Sequence, residues 1–370
     1  MKKPQQGPSL YYASDKNIYD ALNQSRVDND TVQGLFSRRN IVCSKRTPRE
    51  ELSRFFSRLT HDYLDHKEIS LRLGVISRRE RITSVDLRGD IKKDDVTRAI
   101  HKIREELQSE GDVVHVSEEG GSIIMNVHYS TIDYKRSEFS QLQQKDGHLE
   151  LIKVGNDYVL RSTHSDYVDQ IRDAFARQLE KETSKPIERV SVNLSGIKSN
   201  SARSQFFYDL MSELPGYVRR DVTDVYVYKP RPNPAADDSD EEAAEVDTHV
   251  EKVLMKGNGV TQSKLLSDLI QVQNYYISRV EWIATEQLGK GFAFDVEVMF
   301  SDPKECTGFS YLLRGVYELE DNGKLSKKRR PPTKSEIDTV SRAIEDKAKE
   351  LVERLNKSSI TPTPKTGGTK

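Results

Sequence analysis

Asp295 and Glu297 lie two residues apart in the apolar run Phe294–Phe300. A strand here presents both carboxylates on one face, as a metal-dependent nuclease gathers its acids. The lysine that usually follows such a pair is missing, because Glu297-Val298-Met299 holds no Lys two positions on. On sequence the pair therefore lacks a neighbouring basic partner. Glu150-Leu151-Ile152-Lys153 has one residue too many, which sends its charges to opposite faces of a strand. His61 and His66, five apart, are turned about 140° from one another on a helix and read as structural. Asp221 and Asp224, near a strand start, read as capping or solvated. Lys256-Gly257-Asn258-Gly259 lacks the Gly-Lys-Ser/Thr that completes a phosphate loop, and HExxH, GxSxG and paired CxxC are absent. These searches yield no catalytic residue, no metal ligand set and no cofactor.

Basic residues carry the other candidate chemistry. The net charge is only −1, but the charges are segregated. Arg38, Arg39, Lys45, Arg46, Arg49, Arg54 and Arg58 face only Glu50 and Glu51 in their stretch of chain. From Arg72 to Arg104 there are ten basic and five acidic residues; Asp237–Asp247 holds seven acids and no base. Lys324–Lys334 holds six bases and no acid, and its Lys327-Lys328-Arg329-Arg330 run reads as a solvated loop. A partner senses such local fields within a Debye length of about 8 Å, whatever the total. Phosphates are best met by Lys and Arg beside helix N-termini, where unbonded amides also point outward. The nominated nucleic-acid contacts are Arg38, Arg39, Lys45, Arg46, Arg49 and Arg54, with Lys92, Lys93, Arg98 and Lys102 at a second helix. Asp94 and Asp95 in that helix's first turn read as caps.

From Asp30 to Leu59 the chain reads as a helix, a short extension with Ile41, a turn at Ser44-Lys45-Arg46 and a helix opening at Arg49-Glu50-Glu51-Leu52. This resembles the helix-extension-helix modules of the SAP and LEM type. Leu35, Ile41, Leu52 and Leu59 occupy the places of the family's aliphatic residues, and Asn40 replaces its usual glycine. The resemblance covers about thirty residues. It implies DNA binding for a SAP-like module and protein binding for a LEM-like one.

The elements that must position these residues follow from periodicity. Ile18 and Leu22, then Val32, Leu35 and Phe36, then Leu52, Phe55, Phe56 and Leu59 recur at helical spacing. Thr47-Pro48-Arg49-Glu50 predicts a capped start with Thr47 as N-cap and Pro48 as first helical residue. A helix over Asp94–Gln108, a hairpin turning at Gly120-Gly121, and a second hairpin turning at Gly155-Asn156 outline a winged helix. Further on, Ser204–Met211 aligns with Ser263–Ile270 at a shift of 59 residues, and Tyr217–Arg220 with Tyr276–Arg279. This reads as a duplicated strand–helix–strand unit.

The expected fold class is α+β. Its parts are a disordered lead (1–13), a helical module (14–66), a winged-helix-like region with two hairpins (67–183), and an α+β domain with the repeat and an acidic loop at 230–248 (184–320). A basic loop and C-terminal helix (321–356) and a disordered tail (357–370) complete it. At 370 residues with 32% charged side chains, two cysteines and no apolar run of membrane length, the composition excludes a disulfide scaffold and a helical membrane protein. The expectation is a cytoplasmic, non-enzymatic subunit that binds nucleic acid, foremost duplex DNA, and works with a protein partner that carries catalysis, with no membrane contact. By analogy its make-up would suit an antiviral or mobile-element defence system. A metal-dependent nuclease using Asp295 and Glu297, and a scaffold binding only protein, are the alternatives.

Overall fold

The computed structural model describes residues 13–74, 80–135, 138–230, 250–288, 291–320 and 323–360. The lead up to residue 12, the acidic run Asp237–Asp247 and the tail beyond residue 360 lie outside them. The chain opens with α1 (Asp15–Leu22), α2 (Asn29–Ser37), α3 (Arg49–Ser57) and α4 (Tyr63–Gly74). Next come β1 (Ile82–Arg88), α5 (Lys93–Ser109), β2 (Val113–Glu119), β3 (Ser122–Ile132), α6 (Glu138–Gln141), β4 (Leu142–Val154), β5 (Asp157–Thr163) and α7 (Asp166–Thr183). The remainder is β6 (Glu188–Ser191), α8 (Asn200–Ser212), β7 (Tyr217–Tyr228), β8 (Lys252–Lys256), α9 (Lys264–Gln271), β9 (Tyr276–Glu286), β10 (Phe292–Asp302), β11 (Thr307–Glu318) and α10 (Lys334–Ile360). Helices and antiparallel strands make this a mixed α+β protein. No described helix is long and apolar enough to cross a membrane.

The described residues fall into two compact units. The first draws on 1–78, 90–153 and 167–186, the second on 79–89, 154–166 and 187–370. In the first, helices α1–α4 enclose a small core of Ile18, Leu22, Val32, Leu35, Phe36 and Phe56. Phe55 departs from its expected place in that core and is 58% exposed. It and Phe56 are adjacent, so a 100° step per residue lets only one of them point fully inward. The α5 stripe of Val96, Ala99, Ile100, Ile103 and Leu107 is buried, and β2, β3 and β4 form an antiparallel set. Gly147 of β4 leaves room for α7, since a Cβ there would stand 2.6 Å from the Val168 side chain.

The second unit has strand order β5-β1-β11-β10-β9-β7-β8, all antiparallel, with β6 also on β1. Strand alternation sorts its residues. Phe294, Val296, Val298 and Phe300 of β10 enter one apolar core with Val280 and Trp282 of β9 and Phe206 and Phe207 of α8. Val340, Ile344, Ala348 and Leu351 bring α10 onto the same core, four residues at helical spacing. A buried Arg161–Glu345 pair at 2.8 Å, joined by the Tyr311 hydroxyl, ties α10 to β5 and β11. The alternate residues of β9 and β10 point to the opposite face, and Arg279, Glu281, Asp295 and Glu297 at its centre are charged.

Candidate functional site

The helix-extension-helix segment sits in the first unit. After α2, Asn40 adopts φ 59°, the left-handed region where the related pattern uses glycine and where Asn is among the better-tolerated residues. The Ile41 amide then donates to the Phe36 carbonyl at 3.0 Å. Phe36 also stacks on Phe55, with ring centroids 6.0 Å apart. Helix α3 begins one residue later than the Thr-Pro spacing predicts. Pro48 takes ψ 141° and stands outside the helix, and no side chain caps the first amides. Thr47 is therefore not the cap.

The nominated bases here divide by environment. Arg38 pairs with Glu68 at 3.3 Å, and Arg39 lies over the Phe56 ring while bonding Asp65. Arg49 donates to the Leu22 carbonyl at 2.6 and 2.8 Å and to that of Gln24. It closes the C-terminal end of α1, where carbonyls lack helical partners. Arg54 meets Glu50 at 3.0 Å on the surface, a pair worth under about 1 kcal/mol that leaves it available to a phosphate. Lys45 and Arg46 are exposed and have no carboxylate partner among the described residues. Arg58, at the far end of α3 and outside the nominated set, shares that state.

At α5 three of the four nominated bases bond within the unit through their side chains, while the Lys92 side chain stays exposed. The Lys92 amide donates to Asp95, which caps the helix as expected. Lys93 bonds Glu118, while Arg98 and Lys102 converge on Glu182 of α7 at 3.0 and 2.7 Å. Hydrogen bonds from Lys102, Arg98 and Gln178 hold the Glu182 carboxyl down at about 2. His66 is buried against Phe139, and burial lowers the pKa of its ring; His61 faces Asp65 at 3.4 Å.

In the second unit Asp295 and Glu297 do share one strand face, and both are buried. Contrary to the sequence reading, they have basic partners. Arg81 reaches Glu297 at 2.6 Å and Arg279 at 2.8 Å, with Arg314 at 3.3 Å. Arg329 bonds Asp295 at 2.6 Å. These arginines come from other segments of the chain, so a search for a lysine two residues along cannot find them. The signal was nonetheless present: Arg279 and Glu281 interrupt the apolar run of β9 at alternate positions. Asp224 is likewise buried beside Glu281 rather than solvated, whereas Asp221 accepts the Gly259 amide at 2.9 Å. Glu297, held by three guanidiniums, has its lone pairs committed to them. Among the described residues no group of three or more His, Cys, Asp or Glu is placed to hold a metal ion.

Half of the Lys327–Arg330 run is engaged. Arg329 crosses β11 at Gly315, while Arg330 lies over Phe292 and grips Glu336 at 2.6 and 2.9 Å. Lys327 and Lys328 stay exposed. A polar recess of about 470 Å³ opens at the N-terminus of α8, lined by Lys198, Ser199, Asn200, Gln271 and Asn274. The Ser199 hydroxyl already takes the Ala202 amide there. Set against known proteins, the sequence matches no family model and no curated protein.

Proposed function

We propose that this chain is a non-enzymatic nucleic-acid-binding or adaptor subunit that works with a separate catalytic partner. Its ligand is duplex DNA, met through phosphates by the α2–α3 module. The observation that carries this reading is the exposed trio Lys45, Arg46 and Arg58, bases with no carboxylate partner among the described residues. Next to them in the chain stand Val42, 97% exposed, and Phe55, apolar groups the module's own core leaves outside. The α3 amides are uncapped, with Glu50 and Glu51 of the first turn offsetting part of the positive helix end. The SAP- or LEM-like character of this module belongs to the same proposal.

Two finer readings of the architecture go with it. A winged-helix-like middle is supported by α5 leading directly into the β2–β3 hairpin. A duplicated unit is supported by β7 and β9, which begin at Tyr217 and Tyr276 and pair with each other antiparallel.

Three phosphate contacts set the expected salt response: a log–log slope of about −3 for binding of the full chain to duplex DNA. Fluorescence anisotropy across a salt series measures it. The triple variant Lys45→Ala, Arg46→Ala, Arg58→Ala flattens the slope by about one per residue. A wild-type chain that binds no duplex at low salt, or binds with a flat salt response, overturns the reading.

A further inference from the structure

The charged face of the second unit spreads its cations unevenly over four carboxylates. Asp224 of β7, Glu281 of β9 and Glu297 of β10 are direct register neighbours across three strands, and Asp295 lies two residues from Glu297. All four are more than nine-tenths buried. Like charges directly opposite one another on a sheet repel, the more so out of water.

The cations favour one of the four. Glu297 receives Arg81, Arg279 and Arg314, from outside β1, from β9 and from β11. Asp224 has Lys256 of β8 at 3.5 Å, and Asp295 has Arg329 on one oxygen only. Glu281 has Arg314 close by and Arg279 at 3.8 Å. The second oxygen of Asp295, Oδ1, is buried with no donor. Glu281 of β9 is the diagonal neighbour of Asp295 of β10 on this face, a spacing that long side chains bridge. Two ionised carboxylates are acceptors only and cannot bond each other; a protonated one donates. We propose that Glu281 and Asp295 share one proton in the folded protein, so that this sheet face is a pH-sensitive lock.

Burial, then the charge of Asp295, pushes Glu281 up to about 7, and burial raises Asp295 as well. Arg314 opposes that rise, while Asp224 and Glu297 add to it. An unfolded glutamate loses its proton near pH 4.5. Between the two values the folded chain holds a proton that the unfolded chain has released, so this pair's contribution to stability is full below about pH 4.5 and is lost as pH rises through about 7. The expected size is an unfolding constant about fiftyfold larger at pH 8 than at pH 5 from this pair.

The test uses the full chain. Carboxyl carbon NMR of glutamate-labelled protein follows Glu281 directly, with Glu281→Gln assigning its resonance. A midpoint between pH 6 and 8 supports the shared proton, and a midpoint in the ordinary carboxylate range overturns it. Urea unfolding at pH 5 and 8 is the second readout. Glu281→Gln, which supplies a permanent donor to Asp295, removes most of the fiftyfold change, whereas an unaltered pH profile in that variant overturns the proposal. If the variant does not fold, infrared spectra of the wild type decide. A protonated-carboxyl band at pH 5 that disappears by pH 8 supports the lock, and its absence at pH 5 refutes it.

Discussion

Arg49 illustrates how a single side chain can be nominated for one task and used for another. Its charge and its place at the head of α3 suit a phosphate, yet its guanidinium is spent on the Leu22 and Gln24 carbonyls. Removing it leaves those carbonyls without their donor, at a cost of about 1–3 kcal/mol for hydrogen bonds to a charged group. Arg49→Ala is therefore expected to lower stability in urea unfolding by that amount. Its DNA affinity, measured where the variant remains folded, should stay within about twofold of wild type. Lys45→Ala is expected to do the reverse. A large loss of affinity in Arg49→Ala with unchanged stability would return the residue to the interface.

At the scale of elements, the strap that follows β11 depends on an absent side chain. A Cβ on Gly315 would stand 2.3 Å from the Arg329 Cγ and Cδ, atoms in the middle of the side chain that cannot simply swing aside. Gly315→Ala should thus displace Arg329 and leave Asp295 without its guanidinium. Because Arg329 is 41% exposed, solvent already weakens the pair, and about 1–2 kcal/mol is expected. Arg329→Ala should cost a similar amount and the double variant little more, a non-additivity that a double-mutant cycle reads out. Additive costs would show that Gly315 and Arg329 act separately. The elements themselves were largely legible in the sequence. The α5 and α10 stripes and the alternation of β10 are periodic signals that local geometry enforces. The charged interruption of β9 by Arg279 and Glu281 was legible, but its pairing with Glu297 was not, because register between distant strands decides it. Nor was the use of Arg49, since a side chain that caps a neighbouring helix has the same local pattern as one that meets solvent.

At the scale of the whole molecule, each unit is assembled from three stretches of chain. A fragment ending at residue 135 keeps α1–α5, β2 and β3 but loses β4 and α7, along with the buried Leu149, Leu151, Ile171, Phe175 and Leu179. Such a fragment is expected to unfold without the cooperative transition of the full chain, as followed by circular dichroism. A sharp transition matching the intact protein would show that the helices and hairpin fold unaided. Binding measurements on the α2–α3 module consequently belong on the full chain.

The pairing of Ile82 with Tyr311 sets a clock on synthesis. The residue that Ile82 needs on that side leaves the ribosome about 230 residues later, a delay of roughly 10–45 s at 5–20 residues per second. Through that interval the Ile82 end of this edge, beyond the span that β6 covers, has no strand to bond, and an open edge is a template for the wrong chain. Translation speed and the supply of chaperones should then govern how much of this protein is recovered soluble, even where its final stability is unchanged.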